Sequence, residues 1–238
     1  MSPPAAKSPY AGHRFPAEVI SQAVWLYFRF PLSLRMVEEM LAARGIVVSH
    51  ETVRKWALKF GQDFANRIRR RLPCAGDKWH LDEVAIRIAG VQHWLWRAVD
   101  QNGMVLDVLV QSRRDKRAAK RLLRKLLKRQ CRAPRVMVTD KLGSYGAAKE
   151  KLMPGVEHRR HRGPNNRAEN SHQPTRQRER RMKRFKSPEH AQRFLEVQGI
   201  MAQHFRPKWH VVPAASYRRE RERRFRVWQE VKHGGAAA

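Results

Sequence analysis

Between Lys78 and Val110 three runs of alternating apolar and polar residues follow one another with almost no connecting chain, and this crowding of strands most narrows what the sequence can fold into. Lys78 to Ile88 alternates and is rich in β-branched and aromatic residues, and Val91 to Val99, with Trp94 and Trp96, repeats the pattern. Asp100-Gln101-Asn102-Gly103 carries the Asn-Gly signal of a tight reversal, and Met104 to Val110 supplies the third run. Connections this short join only antiparallel neighbours. From 115 to 129 the period changes, with Ala118, Ala119, Leu122, Leu123, Leu126 and Leu127 recurring at helical spacing, so one helix with an apolar face is predicted. After Pro134 the short apolar run Arg135 to Thr139 reads as a buried parallel strand that ends at Asp140. A helix from Ser144 to Leu152, a short strand over Val156 to His158 and a further helix after Gly163 complete the order βββαβαβα.

That order belongs to the ribonuclease-H-like fold, and it predicts an α/β domain built on a mixed five-stranded sheet flanked by helices. Its first and fourth strands lie side by side. Asp82 in mid-strand and Asp140 at a strand's carboxyl end then face a common crevice, where open α/β sheets place their sites. Two carboxylates so close repel one another without a cation between them, and hard divalent ions such as Mg²⁺ prefer oxygen ligands. Two ions about 4 Å apart can serve both the attacking and the leaving oxygen of an in-line phosphoryl displacement. Glu169 is the expected third carboxylate, offered from the first turn of a helix that Asn165 or Asn166 caps. His172 and Arg176, at i+3 and i+7, share its face and are expected to contact DNA phosphates, as is Asn166. Pro174 predicts a kink that turns Arg176 away, and Glu179 is the rival third acid. Glu83, on the opposite strand face from Asp82, is expected to pair with a nearby arginine, whereas Asp82 as a strand-edge charge and Asp140 as a turn cap are the plain structural alternatives.

The partner follows from charge. Lys and Arg number 51 against 21 Asp and Glu, a formal net charge of +30 on 238 residues, and such a chain calls for a polyanion. No run of about 18 apolar residues is available to span a bilayer, so DNA rather than membrane is the expected partner and the cytoplasm the expected location. Ten of residues 113 to 129 are basic, and Arg159 to Lys186 holds eleven Lys or Arg around the proposed site. Cys74 and Cys131 are too few for a disulfide framework or a four-ligand zinc site.

Ahead of the strands, Pro16 opens a helix with Val19, Ala23, Leu26 and Tyr27 in phase, and Ser33 caps another over 34 to 43. Arg44-Gly45 turns the chain, and Ser49 caps a third helix that buries Val53, Trp56, Ala57 and Phe60. His50, Arg54 and Lys55 remain on its outer faces, which predicts a small all-α helix-turn-helix domain whose last helix contacts DNA; a plain three-helix bundle with a solvated basic face is the alternative. The expected organisation is a disordered N-terminus over 1–12, the helix-turn-helix over 13–72, a linker near 69–76, the catalytic domain over 76–206 and a basic tail over 207–238. Phe225, Val227 and Trp228 in that tail are expected to dock on a second subunit.

The segments Trp79-His80-Leu81-Asp82-Glu83, Arg97-Ala98-Val99-Asp100, Thr139-Asp140-Lys141, Val156-Glu157-His158-Arg159 and Asn165 to His172 resemble the DDE transposases of bacterial insertion sequences, in particular the insertion-sequence-six group. The resemblance runs from Phe15 to Phe205. It implies that Asp82, Asp140 and Glu169 bind two catalytic Mg²⁺ ions, with Mn²⁺ able to substitute, and that Arg176 helps to hold DNA. It further implies binding of terminal inverted repeats and target DNA, strand cleavage followed by strand transfer, and a homodimer or higher oligomer to join two ends. The 28 residues between Asp140 and Glu169 are a short connection for that group. A DNA-binding protein without enzymatic activity, including an inactive transposase relic, and a structure-selective nuclease on the same fold are the other classes the sequence leaves open.

Overall fold

The computed structural model describes residues 8–160, 166–182, 184–206 and 212–233, and the side chains of Asn166, Arg167 and Glu169 lie outside the description. The elements run α1 (Ala17–Arg29), α2 (Leu34–Ala42), α3 (His50–Arg70), β1 (Lys78–Ile88), β2 (Val91–Asp100), β3 (Val105–Gln111), α4 (Lys116–Gln130), β4 (Val136–Thr139), α5 (Gly143–Leu152), β5 (Glu157–Arg160), α6 (Asn166–Arg181), α7 (Pro188–His204) and α8 (Ala214–His233). They form two compact units: Pro73–Gly199, and a discontinuous one made of Met1–Leu72 with Ile200–Ala238.

In the Pro73–Gly199 unit the strands lie in the order β3-β2-β1-β4-β5. β1, β2 and β3 pair antiparallel, while β4 adds to β1 in parallel, as β5 does to β4. This is the ribonuclease-H-like arrangement. The β1–β4 pairing covers only Lys78 to His80 against Val136 to Val138. β1 therefore runs on beyond the end of β4, and the space past that end is the crevice of the candidate site. All four residues of β4 are buried, which explains why this strand shows no alternation in sequence.

α4 closes one sheet face by packing Leu122, Leu123 and Leu126 into a core with Leu81, Trp96, Ala98, Met137 and Tyr145. Each fully buried leucine contributes about 1.5–3 kcal/mol of transfer free energy. Asp115 starts this helix by accepting the Ala118 N–H at 2.8 Å. Its basic residues are not all directed outward. Lys125 and Arg129 reach the buried Asp107 of β3 at 3.1 and 2.7 Å, so part of the charge that sequence assigns to solvent or DNA holds α4 to the sheet.

In the other unit, Ser33 accepts the Met36 N–H at 3.1 Å and Ser49 accepts the Thr52 N–H at 3.3 Å, so α2 and α3 begin at the expected caps. α3 continues well past Phe60, burying Phe64, Ala65 and Ile68, and ends at Arg70 inside the segment expected to be a linker. The C-terminal helix belongs to this unit, where the sequence suggested a separate tail. Trp228 lies edge-on to Phe64 and Phe205 at 5.2 and 5.7 Å, and Phe225 meets Phe205 at 5.2 Å. The aromatic residues expected to seek a second copy are thus satisfied within their own unit. Tyr10, in the stretch 1–12 expected to be disordered, is buried as well and donates its hydroxyl to the Lys232 carbonyl at 2.6 Å; residues 1–7 of that stretch lie outside the described residues. Among the described residues no helix is long and apolar enough to cross a membrane.

Candidate active site

Asp82 sits on β1 just beyond the last residue paired with β4, and Asp140 follows the last residue of β4. Carboxylate oxygens of Asp82, Glu83 and Asp140 all lie within 4.8 Å of one another. The expectation that Asp82 and Asp140 share a crevice is met through the short parallel pairing. The turn-cap role weighed for Asp140 is present too, because its Oδ1 accepts the Leu142 N–H at 3.0 Å. One oxygen is thus fixed by the backbone, while Oδ2 stands 3.5 Å from Arg114 Nη2.

Glu83 pairs with an arginine, as its strand face suggested. Arg114 donates to Glu83 Oε1 from Nε at 2.8 Å and from Nη2 at 2.5 Å. The glutamate side chain is fully shielded from solvent. Burial, together with nearby Asp140, pushes its carboxyl above the usual range, against the lowering effect of Tyr145 and Arg114. Tyr145 beneath it is driven well above its ordinary value, first by burial and then by the neighbouring Glu83 charge.

Behind Asp82 lies a buried polar layer. In the β1–β2 register Asp82 faces Arg97, whose side chain is buried and donates to the Ser171 carbonyl and, at 2.5 Å, to Thr175 Oγ1. Burial pushes the Arg97 guanidinium down to about 10, which leaves it charged at neutral pH. His172 is also buried, with Nε2 3.4 Å from Asp82 Oδ2. Burial lowers the imidazole below its ordinary value, and Asp82 opposes the shift. His172 therefore faces Asp82 inside the protein, where the sequence suggested a phosphate contact on the surface. The apolar-to-polar order of α6 conceals this, because nothing in the run from Asn166 to Arg181 marks its buried face except the spacing of Ala168, His172 and Thr175.

Arg176 lies on the exposed part of α6, and the helix continues through Pro174. Asn166 and Glu169 occupy its first turn, and their side chains lie outside the described residues. Glu179 is seven residues beyond His172, about 10 Å along the helix axis. In the other unit, Lys55 and Arg54 are exposed near the start of α3, with Arg54 paired to Glu51 at 2.5 Å, and His50 Nδ1 lies 3.3 Å from Glu38. Sequence reasoning missed Arg97 and Arg114. Arg114 was one cation among ten in its stretch, and the available signal was its place immediately before the cap Asp115.

The donor set fits a hard divalent cation, since two carboxylates converge and one of them is already oriented by a backbone N–H. Glu83 is the weaker candidate ligand because Arg114 engages its Oε1.

The family described as DDE domain matches residues 76–208. The chain is 33% identical over 140 residues to the transposase for insertion sequence element IS257 in transposon Tn4003 of Staphylococcus aureus, an alignment covering 59% of this chain and 62% of that one. The same identity and coverage relate it to the transposase for insertion sequence-like element IS431mec of Staphylococcus aureus strain Mu50. The matched stretch thus spans 62% of these curated relatives' own length. A solved simian T-cell lymphotropic virus intasome in complex with PP2A regulatory subunit B56 gamma overlaps with a TM-score of 0.34 at 17% identity, over 44% of this chain and 38% of that chain. That likeness is too loose to bear on the site.

Proposed function

The chain belongs to the DDE transposase family of bacterial insertion sequences, and on that premise we propose that it cleaves and joins DNA at the crevice between β1 and β4. The observation that carries this reading is the convergence of Asp82 and Asp140 within one acidic group. Glu169 is the proposed third ligand. The contact of His172 with Asp82 supports it, because position 169 is one turn earlier on the same helical face.

Asp82, Asp140 and Glu169 would hold two Mg²⁺ ions, with Mn²⁺ as substitute. When bound, such ions activate an attacking oxygen and stabilise a leaving one. The rest of the site orients these acids: the Leu142 N–H fixes Asp140, and buried His172 and Arg97 flank Asp82. Arg176 and the basic stretch around α6 bind the backbone of DNA. His50, Arg54 and Lys55 contact the terminal inverted repeat from the first turns of α3. In the first displacement water attacks the phosphodiester at the element's end, and the strand leaves with a free 3′-hydroxyl. In the second, that hydroxyl attacks a target phosphodiester, so one bond forms for each that breaks. Joining two ends calls for a homodimer or larger assembly.

The test is strand cleavage and strand transfer on a duplex carrying the element's own end, in Mg²⁺, Mn²⁺ or EDTA. The parent is expected to join DNA only with a divalent ion. Asp82→Asn, Asp140→Asn and Glu169→Gln are expected to abolish joining while retaining DNA binding. Metal-dependent cutting without joining would replace the reading with a nuclease, and binding by a folded parent without chemistry would replace it with an inactive DNA-binding protein.

A further inference from the structure

Arg114 is held in a way that a surface cation ordinarily is not. Two of its nitrogens donate to Glu83 Oε1, and its guanidinium carbon lies 5.0 Å from the centre of the Trp94 ring. The side chain nevertheless keeps 38% of its exposure. With Asp140, Lys141 and Leu142 it lines a cavity of about 420 Å³. Nη2 stops 3.5 Å short of Asp140 Oδ2, a weak contact that leaves the carboxylate available to a cation.

Burying a carboxylate carries a large desolvation penalty, and an apolar pair of similar volume commonly stabilises a core as well or better. Stability alone is therefore a poor account of a fully shielded Glu83. Its visible effect is to orient Arg114 beside Asp140. A free arginine that grips a ligand loses rotamer entropy, and one already fixed by a carboxylate and a ring has lost most of it beforehand. A planar, permanently charged fork suits a phosphate, to which it can donate twice. No partner is present for Nη1 among the described residues. We infer that Arg114, oriented by Glu83 and Trp94, is a phosphate-binding residue that grips the DNA backbone next to the scissile bond. The inference rests on the proposed reaction and adds a substrate contact to it.

The test uses the full chain and a short duplex bearing the terminal repeat found in the DNA flanking the coding sequence. Binding is titrated in EDTA across a range of KCl concentrations, and single-turnover cleavage is measured in Mg²⁺. Arg114→Gln is expected to reduce the slope of log Kd against log salt by about one, as the loss of one phosphate contact does. Its cleavage rate is expected to fall about 100-fold, the usual effect of removing one preorganised donor from a transition state. Arg114→Lys is expected to keep the slope and lose the rate, because an ammonium cannot reproduce the fork with Glu83. An unchanged slope and rate in an Arg114→Gln protein that melts like the parent would reduce the residue to a structural ion pair. Should that variant not fold, parent-like cleavage by Arg114→Lys overturns the inference instead. A slope loss in a chain that lacks Mg²⁺-dependent cleavage would leave the phosphate contact standing and bring down the proposed reaction. Cleavage by the parent with no effect at Arg114 brings down this inference alone.

Discussion

Glu169 and Glu179 are the same residue type on the same helix, and ten positions separate them by about 15 Å along its axis. On the proposed reading that distance divides their roles. His172 pins the middle of α6 to Asp82 at 3.4 Å, so position 169, three residues back, shares the face that meets the site. Glu179 is seven residues forward, beyond the reach of a carboxylate that must share an ion with Asp82. Glu179→Gln should therefore keep single-turnover cleavage within about twofold of the parent, while Glu169→Gln should lose at least about 100-fold, the order expected when a group acting on the transition state is removed. Measured rates for the two variants decide between them, and loss on the Glu179 side alone would move the third ligand.

At the scale of elements, the question is how α6 keeps its register while Pro174 interrupts its hydrogen-bond ladder. Arg97 answers it. From β2 the buried guanidinium donates to Ser171 on one side of the proline and to Thr175 on the other. These contacts tie the helix to the sheet on both sides of Pro174, and the helix runs on to Arg181. Arg97→Lys and Thr175→Val should each lower the opening free energy of α6 by about 2 kcal/mol, the scale of a hydrogen bond to a charged group. Their effects should overlap, because each removes the same bond. Hydrogen exchange of the α6 amides measures this, and full additivity would show that the residues act separately. The strand order, the caps Ser33 and Ser49, and the meeting of Asp82 with Asp140 were legible because each depends on local spacing or on topology that local spacing implies. Arg97, Arg114 and the inward turn of His172 were not, because they depend on which of many cations and polar side chains a distant element happens to cover. The same limit explains Trp228. Its apolar face was visible in α8, but its partner Phe64 lies more than 150 residues away in the chain.

The whole molecule carries 51 Lys and Arg against 21 acids, so lowering the pH adds charge to a chain that already repels itself. Desolvated histidines set a more specific limit on acid stability: half-buried His158 in one compact unit and buried His204 in the other, beside the buried His172 described above. His158 is pushed down to about 4 by burial and then by Arg160. Its Nε2–H donates to Thr139 Oγ1 at 2.9 Å and its Nδ1 accepts from Arg160 Nε at 3.3 Å, so a second proton would be placed against a guanidinium. His204 is likewise pushed down to about 4 by burial, although its donation to the Arg224 carbonyl at 2.9 Å opposes the shift. Both folded values lie below the ordinary 6.5. As pH falls, the unfolded chain therefore takes up these protons first, and stability present above 6.5 is lost through the window down to 4. Glu220, held at about 2 by its hydrogen bonds from Arg223 and Arg224, loses its contribution only below the ordinary 4.5. Melting temperature measured in about 1 M salt, where the Debye length is near 3 Å, screens general repulsion but leaves the desolvation of these histidines in place. The expected curve is flat above pH 7 and falls between 6.5 and 4, and His158→Gln with His204→Gln should flatten that fall. A parent that loses melting temperature only below pH 4 would assign the acid limit to carboxylates such as Glu220 and remove the histidines from it.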